Sequence, residues 1–144
     1  MRARLDVCMG GRVAEELVFG PDAVTRGARS DLQQATALAR HMVSECGMSD
    51  TLGPMYLSDS SGTGRFKPSA DTERAVDEEV RRLLKESYDR VRLLLQASLP
   101  ELHDLATALL ERETLTGDQV KAILAASKGG HTGQTAPEAT ALPV

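Results

Sequence analysis

Apolar residues recur at helical spacing along most of this chain. Leu5, Cys8, Met9, Val13, Leu17 and Val18 mark one face and predict a helix over residues 5–19. Gly10-Gly11 interrupts that face. Glycine within a helix costs about 1 kcal/mol relative to alanine, so close packing, or the approach of another backbone, is expected there. Gly20-Pro21-Asp22 ends the segment, and a loop follows from Val24 to Arg29. A second helix, to about Cys46, carries Leu32, Ala35, Leu38, Ala39, Met42 and Val43 on one face. Gly47 stands where a left-handed residue closes such a helix. Met55 to Ser58 has the composition of one short strand, and residues 59–68 form a Ser- and Gly-rich loop. Val76, Val80, Leu83, Leu84, Tyr88, Val91, Leu94 and Leu95 then predict a long helix from Ala70 to Ala97. Leu102, Leu105, Ala106, Leu109 and Leu110 mark the next helix, and Val120, Ile123 and Leu124 a short last one.

The helix starts are read from capping chemistry. In Ser30-Asp31-Leu32-Gln33 the Ser30 hydroxyl can accept from the Gln33 N–H while the Gln33 side chain reaches back. That box makes Asp31 the first helical residue, where the helix dipole favours its charge and capping does not need its carboxylate. Ser98-Leu99-Pro100-Glu101 and Thr116-Gly117-Asp118-Gln119 are further caps. On the long helix, Asp77–Arg81, Glu78–Arg82 and Glu86–Arg90 are spaced for exposed ion pairs of a few tenths of a kcal/mol each. The fold class expected is mainly α: a bundle of about five helices with at most one short strand or hairpin. Residues 1–127 form the domain and 128–144, without a periodic apolar face, a disordered tail.

Composition narrows the class. The chain has 144 residues, enough for one domain. Only 3% are aromatic, so the core must be built from Leu, Val, Ala and Met. A net charge of −4 gives no electrostatic reason to bind nucleic acid or an anionic membrane. No apolar run approaches the roughly 18–20 residues of a membrane span, and no secretory signal is visible. Cys8 and Cys46 read as free thiols, either buried or kept in a reducing compartment.

Few residues suggest chemistry. His41, His103 and His131 lie in no H-E-x-x-H pattern, and His41 is spaced to pair with Glu45 four residues on. There is no nucleophile elbow, phosphate-binding loop or CxxC pair. Composition and spacing reach no further than a helical domain with one uncommitted carboxylate, Asp31.

The run Met9-Gly10-Gly11-Arg12-Val13-Ala14-Glu15-Glu16-Leu17-Val18-Phe19-Gly20 strongly resembles a signature of the FtsH-type ATP-dependent zinc metalloproteases. Val24-Thr25, Ser30 to Thr36, Ala39-Arg40, Met42-Val43 and Gly47-Met48-Ser49 through Leu52-Gly53-Pro54 follow at the family's distances. Residues 79–90 and 105–115 are similar to its C-terminal helices, so the resemblance covers about residues 3–125. Within the family the chain looks most like the mitochondrial inner-membrane i-AAA branch; plastid and bacterial membranes are the alternatives for location.

The resemblance implies the following. In that family zinc is held by two His of an H-E-x-x-H helix and by a distant Asp, which corresponds to Asp31 here. Three protein ligands leave a fourth position open for water, and the Glu of the His-bearing helix takes that water's proton. Both His and that Glu lie outside this chain, which therefore contains no catalytic residue and is expected to be inactive alone. ATP enters only through an ATPase module that this sequence lacks. The implied partners are other full-length subunits in a homo- or hetero-hexamer, and unfolded, membrane-associated protein substrates. Arg26 and Arg29 stand where relatives carry small or hydroxyl residues; pointed at a metal, they would disfavour it. Loop 59–68 could line a path to the site. The alternative function is a non-catalytic oligomerisation module, with the apolar stripe of residues 70–97 packing on a neighbour. With packing partners missing upstream, the face of residues 5–18 is expected to be partly exposed.

Overall fold

The computed structural model describes residues 1–23, 25–58 and 68–130. Most of loop 59–68, the tail beyond Gly130, and with it His131, lie outside the described residues. The described secondary structure is helical: α1 Arg2–Phe19, a 3₁₀ turn Pro21–Ala23, α2 Arg29–Ser44, α3 Ala70–Ala97, α4 Leu99–Arg112 and α5 Gly117–Gly130. The mainly α class expected from periodicity is the one observed. The chain divides into two compact units, residues 1–97 and 98–144. No described helix is long and apolar enough to cross a membrane.

In the first unit α1, α2 and α3 pack against one another. Leu5, Val13, Ala35 and Ala39 are 0% exposed, and Met42 and Val43 are 1% exposed. Each large aliphatic side chain so buried contributes about 1.5–3 kcal/mol. The face of α1 from Leu5 to Val13 is thus covered, while Val18 at its end is 41% exposed, so the expected partial exposure is confined to that end of the face. The Gly pair is not explained by tight packing. A Cβ on Gly10 would meet nothing within 4 Å, and one on Gly11 would meet only Asp31 Oδ2 at 3.7 Å.

Helix ends differ from the reading at several places. α2 begins at Arg29, with Ala28 as its cap and no side-chain capping bond. The Arg29 N–H already donates to Arg26 O (3.1 Å) and Leu32 N–H to Ala28 O (3.0 Å), so the turn runs into the helix before Ser30 can cap it. Asp31 is therefore the third helical residue, not the first. Ser98 does cap α4, but through no side-chain bond. The Thr116 box does form: Thr116 N–H donates to Gln119 Oε1 (2.8 Å) and Gln119 N–H to Thr116 Oγ1 (3.3 Å). A cap not read from the sequence opens α3, where Thr72 N–H donates to Ser69 Oγ at 3.2 Å. α5 continues through Lys128 to Gly130, past the point where the tail was expected to begin.

α2 stops at Ser44, two residues early, and Gly47 takes φ +61° as expected. Its Met48 neighbour returns an N–H to Met42 O at 2.9 Å. A Cβ on Gly47 would stand 2.8 Å from Pro54 Cα, so both its dihedral and the passing chain require glycine. Residues 55–58 form no strand. Leu57 is buried, and its N–H goes to Ser44 O (2.6 Å), a helix-end carbonyl rather than a partner strand. Cys8 is buried but Cys46 is exposed, since Cys46 lies beyond the last turn of α2.

None of the three predicted ion pairs on α3 forms, because better partners come from elsewhere. Asp77 pairs with Arg40 of α2, and Arg90 reaches Asp6 of α1 at 2.7 Å. The fully buried Ser87 hydroxyl donates to that same Asp6 carboxylate at 2.6 Å. Arg82 instead bridges Glu79 (2.9 Å) and Glu86 (2.6 Å). Glu79 is buried. It accepts from Arg82 and from the hydroxyls of Ser49 (2.9 Å) and Thr51 (3.2 Å), fastening the 49–52 turn to α3. In the second unit α4 packs on α5, yet α4 buries no residue completely and leaves Leu109 and Leu110 exposed. Leu94 of α3, assigned to the core stripe, is 65% exposed, whereas Leu95 beside it packs against the core, so Leu94 lies to one side of the buried row.

Two predictions follow from this packing. The Arg82 hydrogen bonds hold Glu79 down at about 2, against 4.5 for a free carboxylate, and outweigh the opposing effect of burial. A depressed carboxylate stabilises the fold above its unfolded value and ceases to do so as pH falls towards the folded one. Roughly 3 kcal/mol is then lost between about pH 5 and pH 2. Urea midpoints of the parent should fall steeply over that range. Those of Glu79→Gln should start roughly 2–3 kcal/mol lower at neutral pH and change less. Glycine substitutions should move in opposite directions in the same melts. Gly10→Ala should gain about 1 kcal/mol, whereas Gly47→Ala should lose roughly 2 kcal/mol or more.

Candidate functional site

The site begins at the junction of α1 and α2. Glu15 of α1 accepts from the Thr25 N–H at 3.0 Å and from the Thr25 hydroxyl at 3.0 and 3.1 Å. Thr25 Oγ1 in turn accepts from the Gly27 N–H at 3.1 Å. A Cβ on Gly27 would lie only 3.0 Å from Glu15 Oε1, so glycine lets the turn seat against that carboxylate. This clasp sets where α2 starts and therefore where Asp31 sits. Glu15 is not among the apolar positions of α1, and no local spacing links it to a residue ten positions on.

Asp31 lies in the first turn of α2, half-buried, with Oδ2 over Gly11 of α1. It makes no hydrogen bond or ion pair with another described residue. A half-buried carboxylate with no protein donor keeps its oxygen lone pairs available, and carboxylate oxygen is an accepted zinc donor. Among the described residues no group of three His, Cys, Asp or Glu converges on one point. Asp31 is thus a single carboxylate, not a complete set of metal donors.

Arg26 and Arg29 do not engage Asp31. Residues two apart on an α-helix are about 200° apart around its axis, so Arg29 leaves α2 on the far side from Asp31. Both arginines instead line a cleft with Arg12 and Arg40, and Asp31 is not part of its wall.

His41 Nδ1 pairs with Glu45 Oε2 at 3.2 Å, as its spacing predicts, and its Nε2 lies 3.6 Å from Cys46 Sγ. His103 is exposed on α4, with its backbone carbonyl accepting from the Thr107 hydroxyl. His41, ten residues along α2, is not brought to Asp31.

Known proteins give this geometry its context. The family model described as peptidase family M41 matches residues 1–123. An Arabidopsis thaliana protein named ATP-dependent zinc metalloprotease FTSH 11, chloroplastic/mitochondrial, is 53% identical over 128 residues, or 89% of this chain and 15% of its own length. The Saccharomyces cerevisiae mitochondrial inner membrane i-AAA protease supercomplex subunit YME1 is 46% identical over 129 residues, covering 88% of this chain and 16% of that protein. A Rickettsia bellii ATP-dependent zinc metalloprotease FtsH is 43% identical over 130 residues, 86% of this chain and 20% of that protein. The chain spans about a fifth or less of the length of these curated relatives. Mitochondrial, plastid and bacterial relatives are all present, the locations that the sequence resemblance implied. With its first 123 residues matched and identities of this order, the chain belongs to peptidase family M41, the FtsH-type ATP-dependent zinc metalloproteases, with i-AAA proteases among its relatives.

Proposed function

We propose that this chain is the C-terminal helical part of the peptidase site of an ATP-dependent zinc metalloendopeptidase, and that Asp31 is its zinc-ligating carboxylate. The observation that carries the reading is the half-buried Asp31 carboxylate, unpartnered among the described residues and held by the Glu15–Thr25 clasp. Two imidazoles from an H-E-x-x-H segment, which this sequence lacks, would complete the ligand set. Zinc, when bound, supplies a Lewis acid that polarises the scissile carbonyl and acidifies its water. The chain's own contribution is to orient Asp31. α1 sets its distance through Gly11, and the 25–28 turn fixes the start of α2.

By the same reading the parent protein assembles as a hexamer in an organellar or bacterial membrane, with the mitochondrial inner membrane the first choice. It takes misfolded or unassembled membrane-associated proteins, and ATP acts through a separate module. The chain alone, with one metal donor and no general-base Glu from that motif, does not hydrolyse peptides. A second reading, a non-catalytic oligomerisation module, is favoured by one feature. Leu93 and Leu94 on α3 are 69% and 65% exposed, and Leu110 on α4 is 86% exposed. These are large apolar groups without cover in the chain by itself.

The purified chain should show no zinc-dependent cleavage of casein. Fused behind the preceding portion of the Arabidopsis relative, it should restore zinc- and ATP-dependent degradation. In that fusion Asp31→Asn should lower kcat and zinc retention by roughly a hundredfold or more. Casein cleavage by the chain alone, or a fully active Asp31→Asn fusion that keeps its zinc, would refute the assignment. The module reading instead requires a mass that rises with concentration in light scattering, reversed by Leu93→Ser/Leu94→Ser.

A further inference from the structure

The cleft that holds Arg26 and Arg29 is not explained by zinc chemistry. It encloses about 550 Å³ between α1, the 25–28 turn and α2. Arg12, Arg26, Arg29 and Arg40 are four of the residues that line it, and no carboxylate residue among the described ones does. In a chain of net charge −4, that concentration of one sign in a concave surface is a local inversion. Two of the four have carboxylate partners outside the wall: Arg12 with Glu16 at 3.8 Å, and Arg40 with Asp77. Those pairs are solvent-exposed or partly so, and such pairs are weak. Arg26 and Arg29 make no ion pair with any described residue.

The shape says what kind of anion fits. Arg29 and Arg40 are eleven residues apart, so they fall on one stripe of α2 and stand about 16 Å apart along its axis. Leu32, 39% exposed, and Thr36 lie between them on the same stripe. A single small anion cannot span that distance, whereas an extended peptide of about five residues does. The exposed Leu32 gives the middle of such a segment an apolar contact that phosphate or a bare polyanion would not use. Guanidinium forks match carboxylates in two parallel hydrogen bonds. The acidic remainder of the surface opposes a nucleic acid, which would need a wider basic footprint.

We propose that this arginine-lined cleft is a binding groove for an extended, carboxylate-rich polypeptide segment, with Arg26 and Arg29 gripping one end and Arg40 the other. The groove excludes Asp31, so the inference goes beyond the zinc assignment and stands without it.

The test uses the 144-residue chain with a chelator present, so that metal plays no part. The probe is a fluorescein-labelled heptapeptide with glutamates on both sides of a central leucine, read by anisotropy at low salt. Its glutamine counterpart is the control. The acidic peptide should bind, and the glutamine peptide at least roughly tenfold more weakly. Arg26→Gln/Arg29→Gln should weaken acidic-peptide binding about tenfold, and Arg40→Gln measurably. Lys121→Gln, which removes the same charge from α5, should leave it unchanged. Thermal melts check that each variant is folded, and Arg40→Gln tests the groove from its other end should the double variant unfold. The proposal is overturned by equal binding of both peptides, by no binding of either, or by acidic-peptide binding that survives both the double variant and Arg40→Gln. Full displacement by millimolar inorganic phosphate, or tighter binding of an oligothymidylate, would overturn it in favour of a small-anion or nucleic-acid site.

Discussion

The first unit rests on how closely α2 can approach its neighbours. The chain has almost no aromatic side chains to fill space, and the contact face of α2 carries Ala35 and Ala39, both completely buried. Small residues at a helix crossing bring the two backbones near, and the surrounding Leu5, Val13, Met42 and Val43 then fill the remaining volume. A larger side chain at either alanine would push α2 outward and shift everything carried on its first turn. Asp31, Ala35 and Ala39 are spaced four apart, so they form one row along the helix. The carboxylate is the continuation of the buried row beyond the core. That is why it is half-buried and faces Gly11 of α1.

Three carboxylates then fix the arrangement that the apolar contacts permit. Glu15 holds the 25–27 turn, Asp6 joins Ser87 and Arg90, and Glu79 anchors the 49–52 turn. For Asp6, burial pushes its carboxyl up, but the hydrogen bonds from Arg90 and Ser87 more than reverse this and hold it below its ordinary value. Charged groups at the edge of a core are stable only when their lone pairs are satisfied, so each works only in one packing of the helices. Apolar burial makes the three helices associate, and these bonds select their register.

The helices were legible because periodicity is a local signal. The α3 stripe fixed both its ends, Ala70 and Ala97, and Gly47 was identified by its place after the last periodic residue. What escaped was non-local. Arg90 spends its charge on Asp6, 84 residues away, rather than on Glu86 four residues away. Glu79 reads from spacing as one more solvated acid, yet Ser49 and Thr51 lie above it only once α2 has turned back. The Ser30 box had the right letters but lost to a turn that had already started the helix. Asp31 was visible as a free carboxylate at a helix start. Its link to zinc came from the family resemblance, since one Asp at a helix start is otherwise unremarkable chemistry.

The two faces of α2 explain how the same few residues can carry both the proposed zinc-ligand position and a cluster of arginines. Cations beside a metal would oppose it strongly in a dry site. Arg29 leaves the helix about 200° away from Asp31, across a body roughly 10 Å thick. At that separation, through water, a unit charge acts on another by only about 0.4 kcal/mol, and salt at physiological strength, with a screening length of about 8 Å, reduces it further. Arg29 is thus compatible with a metal at Asp31 because of where the helix turns it, and Arg26 makes no ion pair with Asp31. Both line the cleft, whose wall contains no acid among the described residues. One helix, set in place by two buried alanines and one glutamate clasp, separates an anionic donor on its inner edge from a cationic stripe on its outer one.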